Sequence, residues 1–250
     1  MADAIFDNPR LAAIYDAFEA PREDLEHYLA LAREYGAEQV IDLGCGTGVL
    51  ARALAAAGCT VIGIDPARAS LDIAEAAETS ESLTATPSDS PTVEWRHGTS
   101  AQIPASDADL VTMTGNVAQV FLGVAELESV FADCARGLRT GGRLIFETRD
   151  PAARAWQAWA QTPARTLDID GIGKVTQTFM LGQVDLPFVS FTHLYRFHET
   201  GDSIGSRSRL RFHSYGEITS ALETAGFEVD EVRDVPDRPG REWVFIARRR

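Results

Sequence analysis

Positive charge is scarce in this chain. Its 250 residues hold 23 Lys and Arg against 37 Asp and Glu, for a formal net charge of −14. Nucleic-acid backbones are captured largely by Lys and Arg that neutralise phosphates, so this balance argues against DNA or RNA as a partner. Cysteine is scarcer still. Cys45, Cys59 and Cys134 are too few and too scattered for a disulfide framework or a zinc site, so all three are expected to be reduced, and no metal is expected. Long apolar runs are missing as well. None reaches the ~20 residues needed to cross a bilayer, and residues 1–9 lack a basic region followed by an apolar one, so no membrane association is expected and the cytoplasm is the expected compartment. No internal repeat is visible, which sets aside repeat architectures. With 45% apolar and 24% charged residues, the composition suits one large α/β domain with an insertion.

What is present is concentrated at residues 40–48, Val-Ile-Asp-Leu-Gly-Cys-Gly-Thr-Gly, where an apolar strand runs into a turn with glycine at 44, 46 and 48. Glycine lets a backbone take positive φ and approach a ligand without a Cβ between them. A second apolar strand, 60–64, ends in Asp65, 21 residues after Gly44, where an acidic side chain can accept hydrogen bonds from both ribose hydroxyls. A dinucleotide fingerprint would carry its third glycine at position 49, which is Val49, so a nicotinamide-dependent oxidoreductase is disfavoured.

The pattern Asp42-x-Gly44-x-Gly46-x-Gly48 resembles motif I of the class I S-adenosylmethionine-dependent methyltransferases, and Gly63-Ile64-Asp65 resembles their acidic second motif. The segment His97-Gly98-Thr99-Ser100-Ala101 stands where that family usually has Gly-Asp-Ala. Leu138-Arg139-Thr140-Gly141-Gly142-Arg143-Leu144 resembles its Leu-x-Pro-Gly-Gly turn before the fifth strand. The resemblance implies S-adenosyl-L-methionine as cofactor, with Asp42, Gly44, Cys45 and Gly46 at its amino-acid half and Asp65 at its ribose. Thr99 and Ser100 stand on the adenine side, where a hydroxyl or backbone carbonyl would replace the usual Asp.

Hydrophobic periodicity predicts helices over 11–20 and 25–35 with a break at Pro21, then strand 40–43, helix 47–57, strand 60–64, helix 67–77, strands 92–96 and 108–113, helix 124–137 and strand 143–149. Such alternation implies a parallel sheet covered by helices on both faces. Segment 78–91, rich in Ser, Thr, Glu and Pro, reads as a mobile polar loop. Past Pro151, residues 175–181, 189–198 and 204–213 have the alternating character of three antiparallel strands; helix 215–225, stopped at Gly226, and strands 227–234 and 242–248 follow. The expected organisation is a seven-stranded Rossmann-like α/β fold in one domain. It divides into a helical cap at 1–36, a cofactor-binding core at 37–150, a β insertion acting as a lid at 151–213, and a closing helix and hairpin at 214–250.

Asn116 ends the fourth strand at the carboxyl edge of the sheet and is placed to meet both cofactor and substrate, or simply to cap the next turn. No Asn-Pro-Pro-aromatic motif surrounds it, so the amino-group nucleobase methyltransferases are a poor match. Arg149 either binds an anionic group of the substrate or pairs with Asp150 or Glu147. In the insertion, Phe191, His193, Tyr195 and Phe197 share one strand face, and Arg207, Arg209 and Arg211 share a face of the next strand. Either the aromatic face roofs a substrate, with His193 as a base, or it covers the core while the arginines form a solvated edge. His198 and His213 are alternative bases, and Tyr15 in the cap is a further substrate contact. The expected activity is methyl transfer to a nitrogen or oxygen of a small molecule, with a resemblance to the amino-sugar N-methyltransferases in the position of the insertion. The alternatives are a protein or peptide methyltransferase, or a non-catalytic cofactor-binding partner module.

Overall fold

The structure is a computed structural model that describes residues 2–22, 24–82, 93–235 and 238–250. The chain begins with a single helical turn, α1 (Ala4–Asp7), and continues into α2 (Pro9–Glu19). Asn8 starts α2 by accepting the Arg10 and Leu11 N–H groups on its side chain, and Leu11, Ile14 and Phe18 recur at helical spacing on its buried face. The cap is completed by α3 (Asp24–Glu34). Strand and helix then alternate through β1 (Gln39–Leu43), α4 (Val49–Ala56), β2 (Thr60–Asp65), α5 (Arg68–Ser82), β3 (Val93–His97), β4 (Ala108–Met113), α6 (Val124–Gly137) and β5 (Leu138–Arg149). The segment 83–92, most of the expected mobile loop, lies outside the described residues. Its first five positions, 78–82, continue α5 beyond the predicted end.

After β5 come α7 (Ala155–Trp159), β6 (Arg165–Ile169), β7 (Gly173–Asp185), β8 (Phe188–Phe197), β9 (Ser203–Arg211), α8 (Tyr215–Thr224), β10 (Phe227–Asp234) and β11 (Glu242–Arg249). The main sheet has the order β10-β11-β5-β4-β1-β2-β3, parallel except for β11, which runs antiparallel to β5 and β10. Its central strands are apolar on both faces because helices cover both: Val111, Leu144 and Phe146 pack with α6 and α8, and Val40, Leu110 and Ile145 with α3 and α4. β5 starts earlier than predicted. Ala108 pairs with Leu138 and Leu110 with Arg143, so the Gly141-Gly142 segment is a bulge within the strand.

The insertion holds four strands, not three, in the order β6-β7-β8-β9. β6 escaped the periodicity because it is five residues long with only Leu167 and Ile169 apolar, and α7 is likewise too short to show a helical period. One end of this sheet packs Val175, Tyr195 and Phe197 on Leu11, Ile14 and Phe18 of α2; the other packs Val189 on Trp156 and Phe212. Among the described residues no helix is long and apolar enough to cross a membrane.

Candidate active site

Strand order reverses between β1 and β4, and the turns that leave these two strands enclose a cavity of about 700 Å³. Residues 44–48 form one wall. All three glycines have positive φ, for different reasons. A Cβ on Gly44 would stand 2.6 Å from Val117 Cγ2, and one on Gly48 would stand 2.3 Å from the Trp95 ring, so packing within the protein keeps both bare. A Cβ on Gly46 would meet no protein atom within 4 Å, and Gly46 lines the cavity. Of the three, only Gly46 is bare toward the cavity.

Asp65 ends β2 and clamps the turn. Its Oδ2 accepts the Gly46 N–H at 2.9 Å and its Oδ1 the Ala67 N–H at 2.7 Å. Burial pushes its pKa up, against the pull of these two hydrogen bonds. Each carboxylate oxygen has a second lone pair, and Asp65 lines the cavity, so both can still accept from a ligand's hydroxyls. Asp42, expected on the wall, lies beneath it. Its Oδ1 accepts from Thr112 Oγ1 at 2.8 Å, its Oδ2 has no hydrogen-bond partner among the described residues, and burial pushes its pKa up to about 7. Cys45 and Thr99 line the cavity. Ser100 is turned away, its hydroxyl donating to Asp133 of α6 at 2.7 Å, so of the two only Thr99 lines the cavity. Thr47, not singled out from the sequence, also lines the wall and donates to Asp16 of α2 at 2.7 Å. A bare Gly46 and an Asp65 with a free lone pair on each carboxylate oxygen fit a ligand with an amino-acid end and a ribose.

A second chamber, about 540 Å³, adjoins the first and shares Phe6, Tyr15, Gly115, Val120 and Phe191 with it. Tyr15, Asn116, Arg149, His193 and Tyr195, drawn from four separate elements or turns, all line this second chamber. Cross-strand pairs Phe179–His193 and Gln177–Tyr195 lie on the inward face of the insertion sheet, which roofs it. The His193 ring is surrounded by Phe179, Phe191 and Tyr195 with centroids 5.3 to 6.1 Å away, and its burial lowers its pKa from 6.5. Tyr195, its pKa pushed up to about 12 by burial, accepts from Gln177 at 2.8 Å, and burial also raises that of Tyr15. Both phenols are protonated at neutral pH.

Arg149 pairs with neither Asp150 nor Glu147. It lies 3.5 Å from Glu242, donates to Gln119 at 2.8 Å and stacks on Trp159 at 4.8 Å. Its charge is thereby balanced from β11. Of the other histidines, His198 hydrogen-bonds Thr176 on the outer face at 2.8 Å and His213 bonds the Phe121 carbonyl at 3.0 Å, and neither lines a chamber. The arginine row splits. Arg211 pairs with Glu217, while Arg207 and Arg209 are exposed at the rim of the first cavity. Glu147, expected only as a candidate partner of Arg149, and Glu242, which the sequence did not single out, are both buried around Asn116; for Glu147, its place directly after the apolar run Leu144-Ile145-Phe146 was the available signal.

Residues 41–146 match the family described as "Methyltransferase domain". The chain is 28% identical over 236 residues to a cypemycin N-terminal methyltransferase from a Streptomyces species, covering 92% of this chain and 89% of that one. It is 33% identical over 118 residues to the ubiquinone biosynthesis O-methyltransferase of Paracidovorax citrulli, a match that spans 47% of this chain and about half of that enzyme's length (46%). The solved amino pentose methyltransferase of Micromonospora echinaspora with S-adenosylmethionine bound shares the fold, with a TM-score of 0.71 at 18% identity over 94% of this chain and 96% of that one. The glycine turn, its partner Asp65 and the seven-stranded order thus agree with these matches: residues 41–146 are similar to a methyltransferase domain, and the chain has the fold of a solved S-adenosylmethionine-bound methyltransferase.

Proposed function

We propose that this enzyme methylates an amine nitrogen of a small molecule held in the second chamber. The observation that carries the reading is the pair of adjoining chambers, one walled by the glycine turn and Asp65, the other roofed by His193 among aromatic rings. In this reading Gly44, Cys45 and Gly46 hold the amino-acid half of the cofactor, Asp65 its ribose and Thr99 its adenine side. When bound, S-adenosylmethionine supplies a methyl group already activated by the sulfonium. The protein's own tasks are then orientation, exclusion of water and removal of a proton.

An amine arrives mostly as an ammonium ion and must lose a proton before it can react. His193 is suited to take it, because burial lowers its pKa and keeps the imidazole neutral at physiological pH. Tyr15 and Tyr195, both protonated, offer hydroxyls, and the rings of Trp159, Phe179 and Phe191 favour an apolar or cationic body. The names of the Streptomyces relative and the amino pentose neighbour support an amino-bearing acceptor. The ubiquinone O-methyltransferases, matched over about half their length, make oxygen the second reading.

The test is to incubate the protein with S-adenosylmethionine and matched sets of small primary amines and alcohols, following S-adenosylhomocysteine release and product mass. Methylated amines are expected. Turnover of alcohols alone moves the reading to oxygen, and turnover of intact proteins alone overturns it.

A further inference from the structure

Asn116 has a backbone φ of 61°, a region that residues with side chains enter rarely. Two buried carboxylates hold it there. Glu147 of β5 accepts the Asn116 N–H on Oε1 at 2.8 Å and is also bonded by the Gly115 N–H. Glu242 of β11 accepts from Asn116 Nδ2 at 3.3 Å, and is itself fixed by Arg238 at 2.9 Å and Arg149 at 3.5 Å. Asn116, Glu147 and Glu242 are 3%, 3% and 4% exposed. A backbone outlier held this firmly points to a use for it.

The direction of the amide follows from chemistry. A carboxylate only accepts, so the amide must turn its NH₂ to Glu242 and its oxygen away from it. Asn116 Oδ1 is buried and has no partner among the described residues, and Asn116 lines the second chamber. A buried carbonyl oxygen left without a donor is costly, which makes this one a place for a donor brought in from outside.

We propose that Asn116 Oδ1 accepts an N–H of the amine being methylated, and that Glu147 and Glu242 are the positioning residues that hold it in place. The proposal rests on the amine-methylation reading of the second chamber and adds to it a requirement on the substrate: the reacting nitrogen must carry a hydrogen that Asn116 can receive.

Protein saturated with S-adenosylhomocysteine is titrated calorimetrically with phenethylamine and with its trimethylammonium counterpart, which has the same ring and charge but no N–H. Wild type should prefer the amine by about tenfold or more, the worth of a hydrogen bond from a charged donor. Asn116→Gly suits the left-handed backbone and should keep its melting temperature and its affinity for S-adenosylhomocysteine while losing the preference. Glu147→Leu should lose the preference too, and Glu147→Gln, whose Oε1 still accepts, should restore it. If Glu147→Leu does not fold, Asn116→Gly alone decides. The proposal is overturned if loaded wild type binds neither compound or both equally, if Asn116→Gly keeps the preference, or if cofactor affinity falls together with it. Failure of wild type to bind S-adenosylhomocysteine at all refutes the cofactor site instead.

Discussion

Gly46 and Gly48 stand two residues apart in one turn, yet a side chain at each would meet different neighbours. At Gly46 it enters the cavity proposed to hold the cofactor, so Gly46→Val should abolish S-adenosylmethionine binding while lowering stability only by the left-handed backbone penalty, about 1–2 kcal/mol. At Gly48 it meets Trp95 and Ala74, so Gly48→Ala should add about 1–3 kcal/mol of overpacking to that penalty. Calorimetric titration beside chemical denaturation separates the two outcomes. Asp65 has a double role of the same kind. Asp65→Ala removes the hydrogen bonds proposed to hold the ribose and also frees the Gly46 and Ala67 N–H groups, so it should weaken cofactor binding and cost about 1–3 kcal/mol in folding. Asp65→Ala protein with wild-type affinity and a wild-type denaturation midpoint would contradict both roles.

At the scale of elements, the cap joins the core to the β insertion. α1 and α2 are tied to the core by Ser70 on the Phe6 carbonyl and Asp16 on Thr47, and to the insertion by Ile5 on Ser206 and Arg165 on the Phe18 carbonyl. The exposed Arg10–Asp202 pair adds little, whereas the shared apolar cluster of Phe18 with Val175, Tyr195 and Phe197 carries most of the attachment. Phe18→Ala should therefore cost about 3–5 kcal/mol and Arg10→Ala about 1 kcal/mol or less, as read by denaturation. This also bears on removing the insertion outright: excising 168–213 would strip the cover from α2 and expose its apolar face. A finer probe of the roof is His193→Phe, which keeps a ring among Phe179, Phe191 and Tyr195 but removes the proton acceptor. Cofactor affinity should be unchanged, amine methylation should fall by about a hundredfold or more, and the residual rate should climb with pH as the free amine becomes available. Steady-state rates across pH check this.

For the molecule as a whole, the clearest pH signature comes from two buried acids, Asp42 and Glu147, both pushed up to about 7 by burial from ordinary values of 3.8 and 4.5. Between those limits the folded protein holds protons that the unfolded chain has released. Their contribution is thus fully present below the unfolded values and is lost as pH rises toward 7. Glu147→Gln removes one of the two, so the variant should gain stability relative to wild type between about pH 5 and about pH 8. Denaturation midpoints measured at both ends show it; a constant difference would mean that Glu147 titrates normally.

Most of the core was legible in the sequence, because a glycine turn between an apolar strand and a helix, or an acid at the end of the next strand, is written in a dozen consecutive residues. Periodicity likewise located α6, α8 and the central strands, each long enough to show its repeat. It missed β6 and α7, which are five residues each, and it overestimated Ser100 and Asp42, whose side chains turn toward Asp133 and Thr112. What only the tertiary structure decided is which distant side chains meet. Tyr15 and His193 share a chamber, and Asn116 is held by Glu147, 31 residues on, and Glu242, 126 residues on. Local pattern reports which face of an element is apolar; the partner across a cavity depends on how separate segments pack, and no repeat within one segment encodes that.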